Sequence, residues 1–170
     1  MGLERWPQER DPTVLGAVVH GPAVVARSPG SAVAVRCIFA RPGGLELDLV
    51  LRAVGVQAEA AGRQSLEEPD DRGTRRCEGS WLGRGGSELD LTIEIDGRKA
   101  VVYPFEQSAS GGEDEYTSEF RVAVDVLPSD GRVTLITSWP RAGLAKGGVT
   151  LTLATLDGLE DRVVQLPKED

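Results

Sequence analysis

The chain has 170 residues, of which 40% are hydrophobic and 27% are charged, and its formal net charge at pH 7 is −8. This length fits a single domain that can bury a core without disulfides or structural metals. Because contacts to phosphate need a surplus of Lys and Arg on one face, the acidic balance argues against a nucleic-acid partner.

Cysteine content and hydropathy indicate in which cellular compartment the protein is found. The chain holds only two cysteines, Cys37 in an apolar strand pattern and Cys77 in a polar stretch, which is not the density of a disulfide-stabilised secreted domain. No apolar run approaches the roughly 20 residues of a membrane span, and the first residues lack the apolar core of a signal peptide. These observations predict a cytoplasmic protein that has no membrane partner.

Short runs in which Leu, Ile or Val alternates with charge are the main structural signal. The cleanest runs span residues 45–49 and 89–95, and a period of two places the apolar side chains on one face of a strand. Residues 1–12 are polar and carry two prolines, so they are predicted as a flexible N-terminal arm. Strands are then predicted over residues 13–20, 23–27, 31–40, 45–56, 88–95, 98–105, 117–127, 132–139 and 149–154.

Three turn signals predict hairpins between these strands. Between the third and fourth strands, Pro42 presets φ and Gly43 accepts a positive φ. Between the fifth and sixth, Asp96-Gly97 is typical of a two-residue type I′ turn. The stretch 128–131 predicts a hairpin between the seventh and eighth strands, and residues 108–119 are predicted as an exposed hairpin tip.

The pattern as a whole predicts an all-β fold, a single-domain antiparallel β-sandwich of eight to ten strands over residues 13–170. The segment 156–166 fits both a helical stripe and a short strand; the strand is favoured, and one short C-terminal helix is the alternative. A long polar loop is predicted at about 59–87, because this stretch exceeds the ~12 to 15 residues of ordinary connections. Loops of that length are often functional.

The second half of this loop holds the sharpest candidate for a binding site. It places several arginines around one tryptophan, and these two residue types dominate binding hot spots. The predicted partner-binding residues are Arg72, Arg75, Arg76, Trp81 and Arg84. The alternative is that Trp81 packs the loop back onto the sandwich, since long loops are often packed by their own side chains.

Signals for nucleophilic catalysis and zinc are weak. His20 is the single histidine, and no Gly-x-Ser-x-Gly motif accompanies it, so it is interpreted as structural or solvated. One histidine and two cysteines about forty positions apart do not match the spacing of zinc ligands. We therefore expect no catalytic triad and no zinc site.

Acidic residues offer two further candidates. The runs 70–71 and 113–115 contain hard oxygen ligands for calcium, but they lack the alternating spacing that turns successive oxygens inward. A nuclease site would join Asp70 to Glu94, Asp96 and Lys99, and it is disfavoured because Lys99 lies beyond the turn. The sequence therefore predicts no catalytic residue, no metal and no cofactor.

The segment from about residue 103 to residue 158 carries a set of sequence marks. They are the glycine-rich acidic stretch 111–114, Leu127-Pro128, Gly131, Leu135 and the block 138–144. On these residues the segment resembles a family of uncharacterised actinobacterial proteins. The resemblance implies no activity, cofactor or catalytic residue.

Within that block, Trp139 closes an apolar strand. Pro140 ends the strand because it cannot donate a hydrogen bond to a neighbouring strand. Trp139 is therefore predicted as an anchor of the core or of an interface.

These observations favour a non-catalytic interaction or structural module in a bacterial protein assembly, whose partner is another protein or a second copy of the chain. One alternative is a hydrolase that uses carboxylates such as Asp70, Glu113 or Asp114. Another is a sandwich that binds a small ligand or calcium. A concave pocket that gathers polar groups around His20 would favour the alternatives, whereas a flat apolar patch around a tryptophan would favour interaction.

Overall fold

The computed structural model describes residues 11–66, 89–102 and 104–168. Its strands are β1 Val14–Leu15, β2 Ala17–His20, β3 Ala23–Ser28, β4 Ser31–Arg41, β5 Gly44–Val54, β6 Asp90–Ile95, β7 Arg98–Val101, β8 Pro104–Gly111, β9 Glu115–Val124, β10 Arg132–Trp139, β11 Leu144–Thr152 and β12 Val164–Gln165. Its helices are α1 Val56–Leu66, a 3₁₀ turn Pro140–Ala142 and α2 Leu159–Arg162. Most of the predicted N-terminal arm and of the predicted long loop lies outside the described residues.

Two antiparallel sheets carry the fold. One has four strands in the order β11-β10-β6-β7, and the other has six, in the order β2-β4-β5-β9-β8 with β3 also paired to β4. A small third sheet pairs β1 with β12. The all-β sandwich predicted from the alternating pattern is confirmed. No helix among the described residues is long and apolar enough to span a bilayer.

The core lies between the two sheets and is built from alternate residues of their strands. In β5, Leu45, Leu47 and Leu49 are inaccessible to solvent, while the residues between them face the other way. Ile93 of β6 and Leu135 of β10 are equally buried in the facing sheet. Because burial of one such side chain stabilises the fold by about 1.5 to 3 kcal/mol, this alternation is the main reason the two sheets pack together.

Two of the predicted hairpin turns are confirmed. The β4–β5 ladder runs to the pair Arg41 and Gly44, and Gly43 in the turn has a φ of 95°. Asp96 and Gly97 join β6 to β7 with φ values of 51° and 75°. A type I′ turn requires these two positive φ angles, and Asp and Gly are among the residues that accept them.

The predicted third hairpin is wrong. β9 lies in the six-stranded sheet and β10 in the four-stranded sheet, so residues 125–131 cross between the sheets. The Asp96 carboxylate holds this crossing segment: it accepts the Ser129 backbone N–H at 3.0 Å and the Ser129 hydroxyl at 2.8 Å. Turn chemistry predicts that the chain reverses, but not which sheet the next strand joins. The single strand predicted over 98–105 is also wrong. The structure has two strands there, β7 in the four-stranded sheet and β8 in the six-stranded sheet, and local sequence does not show that the chain changes sheets.

The region predicted as a strand end followed by a loop contains a helix instead. β5 ends at Val54, Gly55 has a φ of 61°, and α1 covers Val56–Leu66. The helix is rich in Ala, Gln, Glu and Arg, which have high helix propensity. Among the side chains described in α1, Ala58 and Ala61 are buried. A stripe of alanines is too weakly apolar to reveal an amphipathic helix by its periodicity.

Two other predicted segments are refined by the structure. The tip predicted over 108–119 is a hairpin, but its ladder continues to the pair Gly111 and Tyr116. Because β8 ends at Gly111 and β9 begins at Glu115, only residues 112–114 lie between the two strands. The segment 156–166, for which a strand or a short helix was predicted, contains both. The single helical turn α2 comes first, and the two-residue strand β12 follows it.

Candidate functional site

The residues predicted to bind a partner, Arg72, Arg75, Arg76, Trp81 and Arg84, lie outside the described residues. Asp70 and Cys77 lie outside them as well. Their roles therefore stay predictions.

The described residues considered for catalysis do not converge. His20 is half-buried at the end of β2, and its Nδ1 lies 2.7 Å from the carbonyl oxygen of Gly21. Glu94 and Lys99 form a cross-strand ion pair at 3.3 Å, while Asp96 is bonded to Ser129. Within 11–66, 89–102 and 104–168, no group of three or more His, Cys, Asp or Glu residues is placed to hold a metal ion.

A cleft of about 810 Å³ opens where the β4–β5 turn meets the C-terminal segment. Its buried charge is Arg41, which donates to the Glu46 carboxylate and to the Asp11 carbonyl, each at 3.3 Å. A side-chain hydrogen bond from Thr13 holds the pKa of the Asp11 carboxyl below its usual value. His20 does not line this cleft. Because Arg41 already has two acceptors, its guanidinium forms a structural ion pair and does not make the cleft an anion site.

The outer face of the six-stranded sheet carries a network of charges across three strands. Arg36 of β4 reaches over β5 to Glu119 of β9, and this hydrogen bond raises the pKa of the guanidinium. Arg121 of β9 pairs with Glu106 of β8 at 3.4 Å. Burial, and next the charge of a nearby aspartate, raise the pKa of the Cys37 thiol, so it is a weak nucleophile at neutral pH.

One side of the sandwich is closed where β3 meets β11. The Ala145 N–H donates to the Ser28 hydroxyl at 2.9 Å. Gly147 lies so close to β3 that a Cβ atom on it would come within 2.9 Å of the Ala26 Cβ. These contacts cover the sheet edges on that side.

The other side of the sandwich presents two edge strands of different character, β7 and β8. β7 has four residues, and two of them, Arg98 and Lys99, are charged and exposed. Short length and charge are the means by which proteins protect an edge from pairing with other chains. β8 has eight residues, and all of those from Glu106 to Gly111 are exposed. Within this exposed stretch Glu106 alone is charged, and Arg121 pairs with it.

The register of β8 determines which of its backbone groups face outward. The Gly112 N–H donates to the Glu115 carbonyl at 2.8 Å, and hydrogen-bonded pairs alternate along an antiparallel ladder. Residues 106, 108 and 110 therefore bond to β9, while Gln107, Ala109 and Gly111 direct their N–H and C=O groups away from the sheet. No strand among the described residues pairs with this outer side.

Sequence reasoning missed this edge because residues 107–112 are polar or small and resemble a loop. The informative signal was the combination of a strand-length segment, no charge over six residues and a following turn. A row of backbone donors and acceptors that no described strand pairs with is a template for pairing with another extended chain.

Comparison with known proteins adds no family to this description. The chain matches no family model, no curated protein and no solved structure. The resemblance of residues 103–158 to uncharacterised actinobacterial proteins stays a prediction. The function is therefore inferred from the geometry of the described residues.

Proposed function

We propose that this protein is a non-catalytic interaction module of a protein assembly, and that it binds by pairing the outer edge of β8 with an extended segment of another polypeptide. The observation that carries this proposal is the contrast between the two edge strands, β7 and β8, on the side of the sandwich opposite β3 and β11. β7 is short and positively charged, whereas β8 is long, exposed and uncharged over Gln107–Gly111. Strand addition to an exposed edge is a common mode of peptide recognition, in which main-chain hydrogen bonds supply affinity.

The scaffold behind β8 supports such a role. β9 pairs with β8 on one side and with the eleven-residue strand β5 on the other. The ion pair between Arg121 and Glu106 ties β8 to β9 on the outer face, and the Gln107 amide donates to the Ser118 hydroxyl at 3.3 Å. A preformed edge strand loses little conformational entropy on binding, which favours association.

A bacterial cytoplasmic setting and a second contact through Arg72, Arg75, Arg76, Trp81 and Arg84 remain parts of this proposal that follow from the sequence. The hydrolase and calcium alternatives have less support, because Glu113 and Asp114 are exposed turn residues.

Replacing Ala109 by proline tests the proposal. Proline removes the one outward-facing N–H at this position and leaves the β8–β9 ladder intact, since edge strands tolerate proline where the N–H faces solvent. We expect proteins that co-purify with the wild-type chain from its native cell to be reduced at least about tenfold by Ala109→Pro, because backbone bonds at the edge are lost.

The matched control is Ala109→Val, which keeps the N–H and raises strand propensity. It is expected to retain the associated proteins at wild-type stoichiometry. If Ala109→Pro folds and keeps the same associated proteins, further copies of this chain included, at the same stoichiometry, the β8 edge is not the interaction surface.

A further inference from the structure

We infer that the segment paired with β8 is β8 of a second copy of this chain, antiparallel to the first and related to it by a two-fold axis through Ala109. This inference rests on the proposed function and names its partner. It rests on three properties of β8: its register with β9, the position of its charged residue and the small size of its side chains.

The outward-facing groups of β8 are arranged symmetrically. Gln107, Ala109 and Gly111 point their N–H and C=O groups outward, and Ala109 lies at the centre of the three. A two-fold axis at Ala109 places it opposite Ala109 of the second copy and places Gln107 opposite Gly111. In an antiparallel ladder each such pair exchanges two N–H···O bonds. The three pairs would therefore satisfy every outward group of these three residues in both copies.

The charges permit this register. On the same axis Glu106 falls opposite Gly112 of the second copy, so the two Glu106 side chains do not face each other. A parallel arrangement in register would instead put the two Glu106 side chains side by side, and like charges directly opposite each other destabilise a sheet. Glu106 also keeps its ion pair with Arg121, because that pair lies on the β9 side of the strand.

The side chains favour a partner that is recognised by its backbone. Ala109 and Gly111 face the same side of the sheet as their partners in β9, the buried Ser118 and Tyr116. Both residues are small, so they do not obstruct the approach of a second strand to the outer edge of β8. Beside β8 on the outer face, a depression of about 130 Å³ is lined by Arg36, Glu119, Arg121 and Glu106 among others. Its lining includes the ion pairs Arg36–Glu119 and Arg121–Glu106, so it is too polar to select apolar side chains of a foreign peptide. A second copy of the same strand needs no such pocket.

Sedimentation velocity over a concentration series tests this inference. The wild-type chain is expected to pass from monomer to dimer as its concentration rises. Ala109→Pro should weaken the dimer at least about tenfold, because each copy loses its donor at the axis. Ala109→Val should dimerise like the wild type. A wild-type chain that stays monomeric over the whole series overturns the inference.

Disulfide crosslinking tests the axis itself and does not depend on proline. In a background with Cys37→Ala and Cys77→Ser, Ala109→Cys places two thiols opposite each other, with Cα atoms about 5.5 Å apart and within disulfide range. Gln107→Cys is the matched control, since its two copies would lie about 13 Å apart along the strand. We expect rapid dimer formation on mild oxidation for Ala109→Cys alone. Equal crosslinking of both variants, or none for Ala109→Cys, overturns the inference.

The two proposals fail in different ways. A monomeric chain whose co-purifying proteins are still lost in Ala109→Pro overturns the second copy as partner and leaves the β8 edge as the interaction surface. A chain in which Ala109→Pro changes neither self-association nor co-purification overturns both.

Discussion

Replacing Trp139 by alanine is expected to lower the free energy of unfolding by about 3 to 5 kcal/mol, the range for large-to-small changes at buried aromatic residues. Trp139 exposes only 4% of its surface. Its indole N–H donates to the Gln64 side-chain oxygen at 2.6 Å, and its ring meets Tyr116 edge-on with 6.3 Å between centroids. One side chain thus links the end of β10 to α1 and to β9. Urea denaturation followed by far-ultraviolet circular dichroism measures the loss.

Two smaller changes separate the contributions of the Trp139 hydrogen bond and of its aromatic ring to the free energy of unfolding. Gln64→Leu removes the acceptor and is expected to lose about 1 to 3 kcal/mol, because the buried indole N–H loses its Gln64 partner. Trp139→Phe keeps an aromatic ring beside Tyr116 and should lose less than Trp139→Ala. A loss below about 1 kcal/mol for Trp139→Ala, the size of a surface effect, would show that this ring does not anchor the core.

Replacing Arg41 by methionine is expected to lower the free energy of unfolding by about 3 kcal/mol. Arg41 and Glu46 are 3.3 Å apart, and only 10% and 13% of their side-chain surfaces are exposed. Removing the guanidinium leaves the Glu46 carboxylate without its Arg41 partner in a site largely closed to water. The cost is the desolvation of that carboxylate, which the lost attraction no longer offsets. The same denaturation experiment measures it.

The double replacement Arg41→Met with Glu46→Leu should recover most of the loss, because it removes both charges. Arg52→Met is the matched control on the same sheet: Arg52 pairs with Glu115 at 3.1 Å, but both side chains are more than half exposed. It should lose no more than about 1 kcal/mol. Equal losses for Arg41→Met and Arg52→Met would mean that burial of the first pair has no energetic consequence.

The parts of the fold that were predictable from sequence are those determined by local chemistry. The alternation of leucines in β5 identified its core face, and the Pro42-Gly43 and Asp96-Gly97 turns were recognisable because their φ angles restrict the residue types. Trp139 was predicted as an anchor because a proline ends its strand, and it is buried in the core.

The parts that were not predictable depend on tertiary contacts. The bond from Ser129 to Asp96 joins residues 33 positions apart, and it accompanies a crossing between sheets where a hairpin was expected. The buried side chains described in α1 are alanines, which give little periodic signal. The part of β8 from residue 108 onward was predicted as an exposed hairpin tip, and only its pairing with β9 reveals an edge strand.

Hydrogen exchange at the β8 amides, measured at low and high concentrations of the chain, reports whether the outer edge of β8 pairs with a second copy. If the edge pairs with another copy, the outward amides of Gln107, Ala109 and Gly111 exchange rapidly at low concentration and become protected at high concentration. The amides of Ser108 and Ser110, which bond to β9, are protected at both concentrations and serve as internal controls. Outward amides that exchange at the same rapid rate at every concentration, while association is observed by sedimentation, would show that the copies associate through a surface other than β8.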